Sequence, residues 1–85
     1  MKKPQKSITK DEMFLIKLYQ AANALGDVYA EVDRFVIGKS IGQNDHCIHN
    51  IVRHLAQANF IKKSDGDAVY LTDQGLRLIN ELIDA

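Results

Sequence analysis

The stretch NDHCIHNIVRHLAQAN, Asn44 to Asn59, decides how this chain folds. At 100° per residue from Asp45, the residues Cys47, Ile48, Ile51, Val52, Leu55 and Ala58 fall between about 200° and 340° of a helical wheel. Asp45, His46, His49, Asn50, Arg53, His54 and Gln57 fall between about 0° and 180°. The two sets do not mix, so one face is built to bury and the other to meet something outside. Asn44 suits the N-cap, where its side-chain oxygen can accept a free backbone N–H of the first turn. Asp45 adds negative charge at the end where the helix dipole favours it. Asn59 stands where a left-handed closing residue is wanted. The outward face holds histidines, an asparagine, an arginine and a glutamine, groups suited to directional hydrogen bonding rather than simple solvation. It reads either as a recognition surface or as an ordinary solvated face.

Upstream of this helix, Thr9-Lys10-Asp11-Glu12 has the S/T-x-x-E spacing of a capping box and opens a helix over residues 10–25, which Gly26 stops. Phe14, Leu18, Ala21, Ala22 and Leu25 form its main stripe. Ile16 and Tyr19 lie off that stripe, so they either face a partner subunit or cover other helices of the same domain. Residues 26–32, GDVYAEV, are short and partly β-branched, which suits a single short strand. Asp33 can cap a second helix over residues 34–41, with Phe35, Ile37 and Ile41 on its apolar side. Gly38 inside that helix costs about 1 kcal/mol against alanine, which points to another helix crossing close by. Gly42 then turns the chain. Two helices joined by a tight glycine turn, the second amphipathic, make a helix-turn-helix pattern.

Downstream, the apolar period changes from 3.6 to 2. Residues 60–64 read as a strand, Asp65-Gly66-Asp67 as a turn with glycine at positive φ, and residues 68–71 as the return strand. Thr72 caps a last helix from Asp73 to about Asp84, with Leu76, Leu78, Ile79, Leu82 and Ile83 on one side. The expectation is therefore an α+β, mostly α, single domain over residues 9–85, preceded by a loose basic arm at residues 1–8.

A chain of 85 residues has room for one shared core. It has no apolar run near the roughly 18 residues needed to cross a bilayer, so no membrane partner is expected. The first ten residues carry charge without an apolar run behind them, so no secretory signal is expected. One cysteine excludes an internal disulfide and fits a reducing compartment, the cytoplasm. Net charge is zero, but it is segregated: +4 over residues 1–10, −4 over 11–33, +4 over 34–63 and −4 over 64–85. The local field of such a basic middle matters more than the sum.

Catalytic chemistry finds no foothold. No nucleophile–base pair, phosphate-binding loop or paired-carboxylate motif is present, so no enzyme and no cofactor are expected. His46 and His49 at i, i+3 could share a metal, but Cys47 lies on the buried side and His54 points elsewhere, so no metal site is assigned. Cys47 reads as a small buried thiol, and Tyr19, Tyr29 and Tyr70 as core or interface aromatics.

Three phrases carry a family resemblance. Residues 41–48, IGQNDHCI, look like the "LG-h-S-x-x-T-V" turn of bacterial regulators. Residues 55–61, LAQANFI, look like their "L-x-x-x-G-h-I" exit, with Asn59 in place of the glycine. Residues 69–76, VYLTDQGL, are similar to their "V-Y-L-T-x-x-G" lead-in to the last helix. Over residues 9–84 the chain resembles winged helix-turn-helix domains of small MarR-like or PadR-like regulators, bacterial or phage-type. The resemblance implies a three-helix core, a two-stranded β-hairpin wing and a C-terminal helix.

It also implies sequence-specific binding of double-stranded DNA by the helix at residues 44–58, set in the major groove. His46, His49, Asn50 and Arg53 would then face base edges; Asn50 can pair with adenine, and Arg53 with guanine or a phosphate. Arg34, Lys39, Asn44, Gln57, Lys62 and Lys63 would hold the backbone. The acidic wing tip leaves wing contacts to the two lysines at its base. A homodimer is expected, through Ile16, Tyr19, Leu78 and Leu82, because a module this small covers little DNA alone. Binding would tighten as pH falls through about 6.5, where imidazoles gain charge. The alternative is a winged-helix protein–protein interaction module without DNA binding, which the zero net charge and acidic wing tip favour.

Overall fold

Each helix starts and stops on the local chemistry its ends supply. The computed structural model describes residues 8–84, so the expected arm lies outside the described residues except for Ile8. Helix α1 spans Lys10–Ala24, strand β1 Val32–Asp33, helix α2 Arg34–Ser40, helix α3 Asp45–Gln57, strand β2 Ile61–Lys63, strand β3 Ala68–Leu71 and helix α4 Asp73–Asp84. The capping box of α1 is complete: the Glu12 amide donates to the Thr9 hydroxyl at 3.1 Å and the Thr9 amide to the Glu12 carboxylate at 3.0 Å. Asp33 accepts from the Phe35 amide at 2.7 Å and so caps α2. At the end of α2 the chain closes on itself: the Gly42 amide donates to the Lys39 carbonyl and the Gln43 amide to the Gly38 carbonyl, each at 3.0 Å. That pair of bonds needs a left-handed residue, and Gly42 has φ +79°.

The three strands form one antiparallel sheet in the order β1-β3-β2. The β2–β3 hairpin expected from sequence is present, and β1 adds a third strand that was not expected in the sheet. Val32 pairs with Val69 and Asp33 with Ala68, on the edge of β3 that β2 leaves free. Arg34 fastens the junction: its amide and its Nε both donate to the Asp67 carbonyl at 3.0 Å.

The core lies between this sheet and the helices. It gathers Phe14, Leu15 and Leu18 of α1, Ile37 of α2, Ile48, Ile51, Val52 and Leu55 of α3, Ile61, Val69 and Leu71 of the sheet, and Ile79 of α4. Helix α1 packs on α2, α3, α4 and the sheet. A helix with neighbours on that many sides buries a wide arc, and Tyr19 and Ala21 pack against the same cluster. The expected stripe of α1 needs two corrections. Leu15 is fully buried, whereas Leu25 is 67% exposed, because it is the C-cap and the chain turns away at Gly26. Ile83, near the end of α4, is likewise exposed.

Two glycines sit at crossings. A Cβ on Gly38 would overlap the side chain of Ile48, so α2 and α3 meet there at backbone-to-side-chain distance. A Cβ on Gly75 would overlap the Phe60 carbonyl oxygen, so the first turn of α4 rests on the chain leaving α3. Thr72 ties that junction from both sides. Its hydroxyl donates to the Asn59 carbonyl at 2.6 Å and accepts from the Gly75 amide at 3.0 Å.

Candidate nucleic-acid interface

Helix α3 is anchored by Ile48, Ile51, Val52 and Leu55, all buried. Its N-terminus is capped by Asn44, whose Oδ1 accepts from the Cys47 amide at 2.8 Å. Its C-terminus closes at Asn59, with φ +65°. The Asn59 amide donates to the Ala56 carbonyl at 3.0 Å and the Phe60 amide to the Leu55 carbonyl at 2.9 Å. An L residue other than glycine is tolerated there because asparagine visits this conformation more readily than most. The helix is held along its inner side and at both ends, so its outer side is presented as a rigid surface.

On that surface His46, His49, Arg53, His54 and Gln57 are exposed and Asn50 is half-buried. Three of these side chains join in a row. The Asn50 amide nitrogen lies 3.3 Å from His46 Nε2, and Arg53 Nη2 donates to Asn50 Oδ1 at 3.2 Å. His54 turns the other way, towards α1, with its Nδ1 at 3.6 Å from the Asp11 carboxylate.

The six residues expected to hold a phosphate backbone part company. Gln57, Lys62 and Lys63 are exposed. Asn44 spends its Oδ1 on the cap. Lys39 is exposed but reaches Asp45 at 3.7 Å, a weak surface pair that a stronger anion can replace. Arg34 does not face outwards. It is 9% exposed and its Nε is committed to the Asp67 carbonyl, so it serves the fold. Successive side chains of a strand point to opposite faces, so Lys62 and Lys63 separate. Lys63 pairs across the sheet with buried Val69, and Lys62 pairs with Tyr70 on the outer face. Of the two, only Lys63 lies on the side of the sheet that packs against the helices.

Among the residues expected at a dimer contact, Tyr19 and Leu78 pack against the chain's own core. Ile16 and Leu82 are half-buried. The larger exposed apolar side chains include Met13, Leu25, Val36 and Ile83.

The outer sheet face carries a feature that sequence reading did not find. An open cleft of about 550 Å³ is lined by Tyr29, Lys62, Tyr70, Asp73 and Arg77, among others. The Tyr29 hydroxyl donates to Asp73 Oδ1 at 2.6 Å. That bond, helped by the nearby carboxylate charges of Asp73 and Asp27, raises the Tyr29 phenol above its ordinary value. Nothing in the local sequence links two residues so far apart in the chain.

Among the described residues, no group of three or more His, Cys, Asp or Glu side chains is gathered as a metal site would need. No described helix is long and apolar enough to cross a membrane. Compared with protein families, with characterised proteins and with solved structures, the chain matches none.

Proposed function

We propose that this chain is a small winged helix-turn-helix regulator that binds duplex DNA with α3 in the major groove. The observation that carries the reading is the outer face of α3, an uninterrupted polar surface on a helix fixed at both ends and along its buried side. A major groove about 12 Å wide admits such a helix, and rigid presentation lowers the ordering cost of binding. The order of helices and strands, with β2 and β3 projecting a turn beside α3, suits a wing. Arg53, His46 and His49 reach towards base edges, while Lys63, Gln57 and Lys39 meet phosphates. The protein acts in the cytoplasm, where its single thiol stays reduced. It acts as a homodimer through the outer sides of α1 and α4, with Ile16 and Leu82 more available than Tyr19 and Leu78.

The test is retardation of random-sequence duplexes at low salt, followed by selection of the retained sequences. Retention that Arg53→Ala weakens at least tenfold supports the reading; retention unaffected by Arg53→Ala removes α3 as the reading head. A second reading, a protein-interaction module, is favoured by one observation. Arg34 is turned inwards and the wing tip carries Asp65 and Asp67, which thins the positive surface around α3. Absence of any salt-dependent duplex affinity, with one protein partner held stoichiometrically, decides for that alternative.

A further inference from the structure

Asn50 is the residue of α3 whose amide suits direct adenine recognition, yet both ends of that amide already have partners. Its oxygen accepts from Arg53 Nη2 at 3.2 Å, one turn towards the C-terminus. Its nitrogen lies 3.3 Å from His46 Nε2, one turn towards the N-terminus. The amide therefore lies along the helix surface. Bidentate pairing with adenine requires an asparagine to turn both groups together towards the base. Here that turn breaks two bonds.

We infer that Asn50 is a positioning residue: it holds the Arg53 guanidinium in the orientation that reads a guanine, and His46 holds Asn50. The inference rests on the DNA-binding reading above and refines it. A guanidinium has five N–H donors in a fixed fork. One is spent on Asn50, which leaves the rest of the fork to meet the O6 and N7 acceptors of guanine. An unanchored arginine has rotamer entropy that is lost on binding. Part of that loss is met in the free protein when Asn50 and His46 hold the side chain. The specificity of this face is then centred on guanine at Arg53, with no separate adenine position assigned to Asn50.

Two measurements test this. The first needs no DNA. Nuclear relaxation of the Arg53 Nε–H in the free protein reports how ordered the guanidinium is. Asn50→Ala is expected to release it, His46→Ala to release it in part, and Asn50→Asp, which keeps an acceptor, to restore order. An Arg53 equally ordered in the wild type and Asn50→Ala overturns the inference. The second is a double-mutant cycle on the duplex selected by the wild type. Asn50→Ala is expected to weaken binding about 3- to 10-fold, the size of one hydrogen bond, and to relax preference at the base pair that Arg53→Ala relaxes. In an Arg53→Ala background the same change is expected to have almost no effect. Additive losses, with Asn50→Ala relaxing a separate A·T pair, overturn the inference and leave the DNA-binding reading standing. Affinity that Arg53→Ala does not alter overturns that reading instead, while the free-protein measurement still decides how Arg53 is held.

Discussion

Replacing Gly38 by alanine sets two effects against each other at one atom. An alanine is worth about 1 kcal/mol more than glycine inside a helix. The added methyl, however, overlaps Ile48, which is fully buried and β-branched. Overpacking of this kind costs about 1–3 kcal/mol, so Gly38→Ala is expected to lower stability despite its better propensity. Calorimetry should show a lower Tm, and in an Ile48→Ala background, itself destabilised, the cost of Gly38→Ala should shrink. A rise in Tm from Gly38→Ala alone would mean that α2 and α3 are not in contact there. The unusual glycine was readable as a close crossing, because a helix tolerates it at a cost. Arg34 was not readable in this way. Sequence placed a cation in a basic segment, and only the fold brought the Asp67 carbonyl to it. Arg34→Ala is expected to cost about 1–2 kcal/mol by denaturant unfolding. Arg34→Met, which keeps the buried stem, should recover part of that loss.

Between elements, one close junction is where the chain leaving α3 meets the start of α4. Thr72 serves it with one hydroxyl that donates to Asn59 and accepts from Gly75. Thr72→Ala removes the cap and the tie together and is expected to cost about 1–2 kcal/mol, while Thr72→Ser should cost much less; thermal unfolding separates them. The same junction explains Gly75 in the phrase VYLTDQGL, since α4 rests on the Phe60 carbonyl and leaves no room for a Cβ. On the outer face, the Tyr29–Asp73 bond joins the loop before β1 to the start of α4. It raises the phenol above its ordinary 10.0, so its stabilisation is complete below that pH and is lost as pH climbs through the raised value. The stability gap between wild type and Tyr29→Phe should therefore hold from neutral pH up to pH 10.0 and close above it. The elements with long periodic patterns, α1, α3 and α4, were legible with their caps. Strand β1 was not placed in a sheet, because two residues carry no period and its partner β3 lies far along the chain.

For the whole molecule, the segregation of charge decides what can bind. The basic middle of the chain does not survive folding as one patch. Arg34 goes inwards, Lys39 meets Asp45, and Lys62 and Lys63 part across the sheet. Two cations, Lys39 and Lys63, remain exposed to meet phosphates around α3 in the proposed complex. Counterion release then predicts that log affinity falls with log salt at a slope of about −2 per chain, and fluorescence anisotropy over a salt series measures it. A slope near zero favours the protein-interaction alternative. Lys63→Ala should reduce the slope by about 1 per protomer, and Lys62→Ala should leave it nearly unchanged. In sedimentation equilibrium, a dimer of the 9.6 kDa chain is expected at micromolar concentration.

The sequence by itself determined what depends on near neighbours: the helices with their caps, the segregated faces of α3, the closing conformation at Asn59 and the turn at Gly66. These follow from hydrogen bonds and periodicities that span a few residues. Tertiary structure decided what depends on distant ones: the third strand, the inward turn of Arg34, the cleft beside Tyr29 and the splitting of the lysines. The stretch from Asn44 to Asn59 belongs to both. Its wheel separated a polar outer face from a buried one. The folded helix linked three of those side chains, His46, Asn50 and Arg53, into a row that spacing alone could not assign.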